Sequence, residues 1–169
     1  MGSHLKRMVV FDYQKGRNKD APRKILDDFQ GYLQTDGYAS YNQYKSKKTV
    51  THLACWAHAR RYFEKALTQD RSRAEYAMDR IQQLYTVERE IVDLSSEDKK
   101  KTRLDKSLTI INELGKWISQ ENKKVLPSSL IGKAFTYSIN LWDSLQTYLY
   151  DGNLIIDNNL IENSIRPNA

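Results

Sequence analysis

The chain has 169 residues, of which 40% are hydrophobic and 28% charged, and a net charge of +6. That length and balance suit one compact soluble domain, or one domain with an insertion, and exclude a disordered chain. No apolar run approaches the roughly 20 residues that cross a bilayer, no signal peptide is visible, and the single cysteine, Cys55, excludes an internal disulfide and fits a cytoplasmic location.

Met1-Gly2-Ser3-His4 reads as a cloning remnant and is left out of the fold. Residues 8–13 are short, apolar and β-rich, and predict a first strand. Pro22 stands near a helix start, and Ile25, Leu26 and Phe29 follow at helical spacing up to Gly31, which can end the helix. Residues 32–35 predict a second strand, stopped at Asp36-Gly37. Residues 38–44 read as a short helix or irregular turn, and residues 50–54 as a third strand. Strand alternating with helix over so short a stretch is the pattern of an α/β unit with a parallel sheet.

After Cys55 the pattern turns helical. Residues 56–67 have helical spacing, and Ala77, Ile81, Leu84, Glu88 and Ile91 form a stripe broken by one charge. Residues 95–101 are polar and are expected to connect two helices. Leu104, Leu108, Ile111, Gly115 and Ile118 resume the stripe. Pro127 and Ser128 are expected to open one long helix carrying Leu130, Ala134, Tyr137, Leu141, Leu145 and Tyr148 on one face, with Gly152 ending it in left-handed geometry. Long amphipathic helices must bury their stripes against one another, which predicts a bundle. The short apolar run Leu154-Ile155-Ile156 then leads to Asp157, an N-cap for a last helix through Glu162.

Three places can carry chemistry. Asp36 sits where a predicted strand ends, the position at which open parallel sheets bind ligands; its other reading is ordinary Asp-Gly turn chemistry. Glu162 shares a helix face with Asn158 and Arg166, either as a surface ion pair or as a carboxylate presented to the sheet. Cys55 and His58 make half of a zinc site, but the sequence has no further cysteine and only His52 nearby, so no metal is expected there. A catalytic Cys–His dyad lacks an orienting third group, and a buried Cys and Trp at a strand-to-helix junction is the simpler reading. The basic residues cluster as Lys45, Lys47 and Lys48, as Arg60 and Arg61, and as 99–101. Each run alone reads as a solvated face, but the basic excess favours a polyanionic partner.

Taken together, Thr35-Asp36-Gly37-Tyr38 with Tyr41-Asn42, Cys55-Trp56-Ala57-His58-Ala59-Arg60-Arg61, and 157–167 (DNNLIENSIRP) resemble the insertion sequence 66 family of transposases. Phe11-Asp12-Tyr13 and 132–137 (GKAFTY) resemble it as well. The resemblance implies a partial ribonuclease-H-like core of about three strands, residues 5–58, an all-α insertion forming a helical bundle lobe, residues 59–150, and a returning core segment, residues 151–169. It implies Asp36 and Glu162 as two of three catalytic, metal-binding carboxylates of a DDE transposase, working with Mg²⁺ or Mn²⁺. It also implies double-stranded DNA as partner, held in part by Arg60, Arg61, Lys45, Lys47 and Lys48, and an oligomeric intact enzyme. Cys55 and His58 fall in a family motif whose role the resemblance does not give. The family's first aspartate falls upstream of this chain's start, so the chain alone is expected to be inactive and to bind no metal. A nuclease of the same fold and a non-enzymatic helical DNA-binding or assembly module are the competing readings.

Overall fold

A computed structural model describes residues 26–35, 44 and 47–159. The expected strand at 8–13, the helix start at Pro22, and both Asp36 and Glu162 lie outside these residues. Two strands, β1 (Gly31–Thr35) and β2 (Val50–Ala54), pair in parallel with Gly31 opposite Val50 and Thr35 opposite Ala54. Gly31 begins β1 and does not end a helix by left-handed closure in mid-turn. Its φ of 123° lies where other residues are strained, which lets the chain swing directly into the strand.

Helix α1 (Trp56–Ala66) leaves β2 after one residue, Cys55, and buries Trp56, Ala59, Phe63 and Ala66. Helix α2 (Arg71–Glu90) opens with the Asp70 side chain accepting from the Arg73 amide and buries Ala74, Ala77, Ile81, Leu84 and Val87. Residues 95–101 are not a connection. Helix α3 (Ser96–Thr102) forms there because Ser95 and Asp98 exchange hydrogen bonds at its start, Ser95 Oγ accepting from the Asp98 amide and donating to the Asp98 carboxylate. Acidic residues in the first turn and lysines in the last suit the helix dipole, so a run without apolar residues is still helical. A π-helical turn (Arg103–Ser107) carries α3 into α4 (Leu108–Glu121), which buries Ile111, Leu114 and Ile118.

The expected long helix from Pro127 is three pieces. Helix α5 (Leu130–Asn140) is capped by Ser129, α6 (Trp142–Gln146) follows a break at Leu141, and a 3-10 turn (Thr147–Tyr150) ends the run. The break lets Trp142 settle over Gly115, where an added Cβ would lie 2.5 Å from the indole, and edge-on to Trp56 at 6.2 Å. Trp56 Nε1 then donates to the Leu145 carbonyl at 2.8 Å, satisfying an acceptor near the helix end. Gly152 serves a different purpose from the expected one. Its φ is not positive; a Cβ there would lie 1.9 Å from the Ser96 carbonyl oxygen, so glycine permits the close crossing of two backbones.

The helices pack into one core. Phe63 and Phe135 meet edge-on at 5.9 Å, Trp117 and Phe135 at 5.5 Å, and Tyr62 stacks on Tyr137 at 4.3 Å. Leu53, Ala54 and Ile156 join the same cluster, so the sheet and the returning chain share the helices' core. Glu88, the charge that interrupts the α2 stripe, has a reason. It takes two bonds from the buried Arg103, Nε at 2.9 Å and Nη2 at 2.6 Å. The remaining guanidinium donors reach the carbonyls of Tyr148, Asp151 and Leu154. One side chain thus ties α2 and the π turn to the chain leaving the 3-10 turn. Among the described residues no helix is long and apolar enough to cross a membrane.

Candidate active-site junction

The described residues meet around the carboxyl ends of the two parallel strands. Thr35, the last residue of β1, pairs with Ala54, and Cys55 follows at the turn into α1. The chain after Gly152 returns to this edge. Gln34 Nε2 donates to the Ile155 carbonyl at 3.1 Å, and the Trp56 amide donates to the Ile156 carbonyl at 3.1 Å. The Trp56 amide is one of the first-turn donors that a helix leaves unpaired, so the returning strand of chain satisfies α1 as it docks.

The next three residues are held by side chains. The Cys55 thiol donates to Asn158 Oδ1 at 2.9 Å. Tyr85, from α2, donates its hydroxyl to Asp157 Oδ2 at 2.8 Å. Asp157 Oδ1 accepts the Asn159 amide at 3.0 Å, and Oδ2 takes Asn159 Nδ2 at 2.7 Å, so the carboxylate closes an Asx turn as helical geometry begins. Asp36 is the residue after Thr35 and Glu162 is three residues after Asn159. Neither is among the described residues.

Electrostatics fit this reading of the junction as a fixed joint. Burial pushes the Cys55 thiol above its ordinary value, against the opposing pull of backbone amides at Asn158, His58 and Ala57, so at neutral pH it is a thiol that donates and not a thiolate. Tyr85 is likewise pushed well above 10, first by burial and then by the Asp157 carboxylate. Cys55 spends its proton on Asn158, while His58 Nε2 lies 3.2 Å from Arg61 Nη1, so the two members of the motif serve different partners. Among the described residues no group of three or more His, Cys, Asp and Glu side chains converges as metal ligands.

The family model described as the transposase IS66 family matches residues 2–169. The chain belongs to the IS66 transposase family. Three proteins of Sinorhizobium fredii, each named only as uncharacterized, are similar to it. Protein y4qI is 29% identical and y4jD 29% identical, each over 168 residues, and y4hP is 30% identical over 178 residues. Each alignment covers 95% of this chain and 31–33% of the relative, so the chain spans about a third of the length of the curated relatives it matches. No solved structure matches it.

The basic residues singled out in the sequence are placed unevenly. Lys45 lies outside the described residues. Lys47 donates to the Asp27 carbonyl and sits 5.4 Å from the centre of the Tyr44 ring, so it is engaged locally. Lys48 is exposed. Arg60 and Arg61 project from α1 into a cleft of about 390 Å³ against α2, and Arg60 pairs with Glu64 at 2.8 Å. Sequence reasoning passed over Gln82, Tyr85 and Arg89 on the facing helix. Their spacing of three and four residues marks one helical face, but nothing in the chain order says that this face looks across at Arg60. Tyr85 was missed for a further reason: its partner, Asp157, is 72 positions away.

Proposed function

We propose that this IS66-family chain forms part of the catalytic region of a DDE-type DNA transposase, with Asp36 and Glu162 as two of its catalytic carboxylates. One observation carries the reading. The segment that leads into Glu162 is hydrogen-bonded across the carboxyl end of a parallel sheet, to the strand that leads into Asp36 through Gln34 to Ile155, and to the end of the paired strand β2 through Trp56 to Ile156 and Cys55 to Asn158. That edge is where parallel α/β sheets gather ligands. On this reading residues 5–58 and 151–169 belong to a ribonuclease-H-like core and residues 59–150 to a helical insertion within it.

Hard carboxylate oxygens suit Mg²⁺ or Mn²⁺. When bound, such ions supply Lewis-acid stabilisation of charge in an in-line phosphoryl transfer. The chain's own contribution is to hold two carboxylates at fixed positions. Asp157 has a supporting role, accepting from the Tyr85 hydroxyl and from the Asn159 amide and side chain. Basic side chains, Arg60 and Arg61 among them, hold the phosphate backbone of double-stranded DNA.

The test is a strand-cleavage and joining assay with Mg²⁺ and transposon-end DNA, using the transposase that contains this chain. Asp36→Asn and Glu162→Gln are each expected to abolish product while leaving the melting temperature within a few degrees of the parent, on the order of what surface changes cause. Product formation retained in either variant overturns the assignment of that residue.

A further inference from the structure

The cleft between α1 and α2 has its own chemistry. Arg60 and Arg61 line it from α1, Gln82 and Arg89 from α2, and Asn159 at the start of the returning helical turn. Its volume of about 390 Å³ falls in the range of roughly 300–1,000 Å³ typical of binding clefts. Among the described residues, Arg60 and Arg89 look onto the cleft with one carboxylate, Glu64, which is already paired with Arg60. Arg60 Nε is buried and carries no hydrogen bond, an arrangement that costs free energy until an acceptor arrives. Arg89 donates to the Thr86 hydroxyl at 2.9 Å and has no carboxylate within ion-pairing distance among the described residues. Tyr85, the remaining polar group of the wall, is committed to Asp157.

Planar guanidinium forks with spare donors, set around a cleft, match the oxygens of a phosphodiester. We propose that this cleft seats the DNA phosphate backbone, with Arg60 and Arg89 as the two principal contacts from facing helices, and Arg61, Gln82 and Asn159 beside them. This deepens the transposase reading and rests on DNA being the substrate. The bound strand lies against Asn159, three residues before Glu162 in the sequence. A contact of this kind orients DNA without reading its sequence.

Fluorescence anisotropy with the whole chain and a short labelled duplex tests it, repeated from about 50 to 200 mM salt. Wild type is expected to show a linear fall of log affinity with log salt. Arg60→Gln and Arg89→Gln should each weaken binding about tenfold and each flatten the salt slope by about 0.9, the double variant by about twice that. Arg89→Lys should restore the salt slope and part of the affinity, since it keeps the charge but not the planar fork, a split that a folding defect would not produce. Lys123→Gln is the control, since it removes the same charge beside Glu121. Glu121 pairs with Arg73, 16 residues before Arg89 on α2, hence about 24 Å along the helix. Equal losses in the control and the arginine variants, or an unchanged slope in the arginine variants, overturn the cleft while leaving DNA as substrate. No binding by wild type at low salt overturns both readings. Tighter binding to a polyglutamate peptide than to the duplex assigns the cleft to an acidic protein and overturns the proposal.

Discussion

Replacing Arg103 is expected to damage this fold more than any surface change. The side chain is 3% exposed and Glu88 15% exposed, so solvent screens the pair little. All five guanidinium donors are used: two on Glu88 and one each on the carbonyls of Tyr148, Asp151 and Leu154. The guanidinium carbon also stands 5.1 Å from the centre of the Tyr148 ring. Arg103→Met keeps much of the volume but strands the Glu88 carboxylate and uncaps three carbonyls where the 3-10 turn ends. Breaking a buried pair in this way costs about 3–5 kcal/mol. At about 2–4 °C per kcal/mol for a chain of this size, the melting temperature should fall by about 6–20 °C. Urea denaturation followed by circular dichroism and tryptophan fluorescence measures the loss. Glu88→Gln in the Arg103→Met background should return part of the lost stability, because the stranded charge is then gone. A single variant that loses less than about 1 kcal/mol, the level of an exposed pair, would refute the reasoning that Arg103 fastens the returning chain to the bundle.

Tyr85→Phe removes the bond to Asp157, worth about 1.5 kcal/mol at the lower end for a charged acceptor, and should lower the urea midpoint accordingly; an unchanged midpoint would remove Tyr85 from the joint. Because the folded state holds the Tyr85 hydroxyl above its ordinary value of 10, the unfolded chain loses that proton first as pH rises. The stabilisation is therefore complete below about pH 10 and is lost above it, and thermal melts across that range should show a shallower fall in Tyr85→Phe than in wild type. Gly152→Ala places a methyl group 1.9 Å from the Ser96 carbonyl oxygen, so the backbones must separate at about 1–3 kcal/mol; a melting temperature equal to wild type would show that the crossing is loose.

Much of the local structure is determined by the order of residues. The strands at 31–35 and 50–54 and the α1 and α2 helices follow from short β-rich runs and from apolar residues at three- and four-residue spacing, all of them near-neighbour preferences. The family likeness is also legible there, because motifs in order and spacing are a property of the chain itself. Three features escaped because their causes are not local. A polar run became α3 through an exchange between Ser95 and Asp98, which apolar periodicity ignores. One expected helix broke at Leu141 because Trp142 had to fit over Gly115, a residue on a different helix. Gly152 was needed for a backbone crossing with Ser96, 56 positions earlier. The junction is the clearest case. Sequence names Cys55, Asp157 and Asn158 but leaves them as a motif of unknown role, a cap and a neighbour. Only the return of the chain after Gly152 to the end of β2 brings Asp157 to Tyr85 of α2 and Asn158 to Cys55. Such contacts are decided when buried groups must find partners, and the partner is whichever chain segment the core delivers.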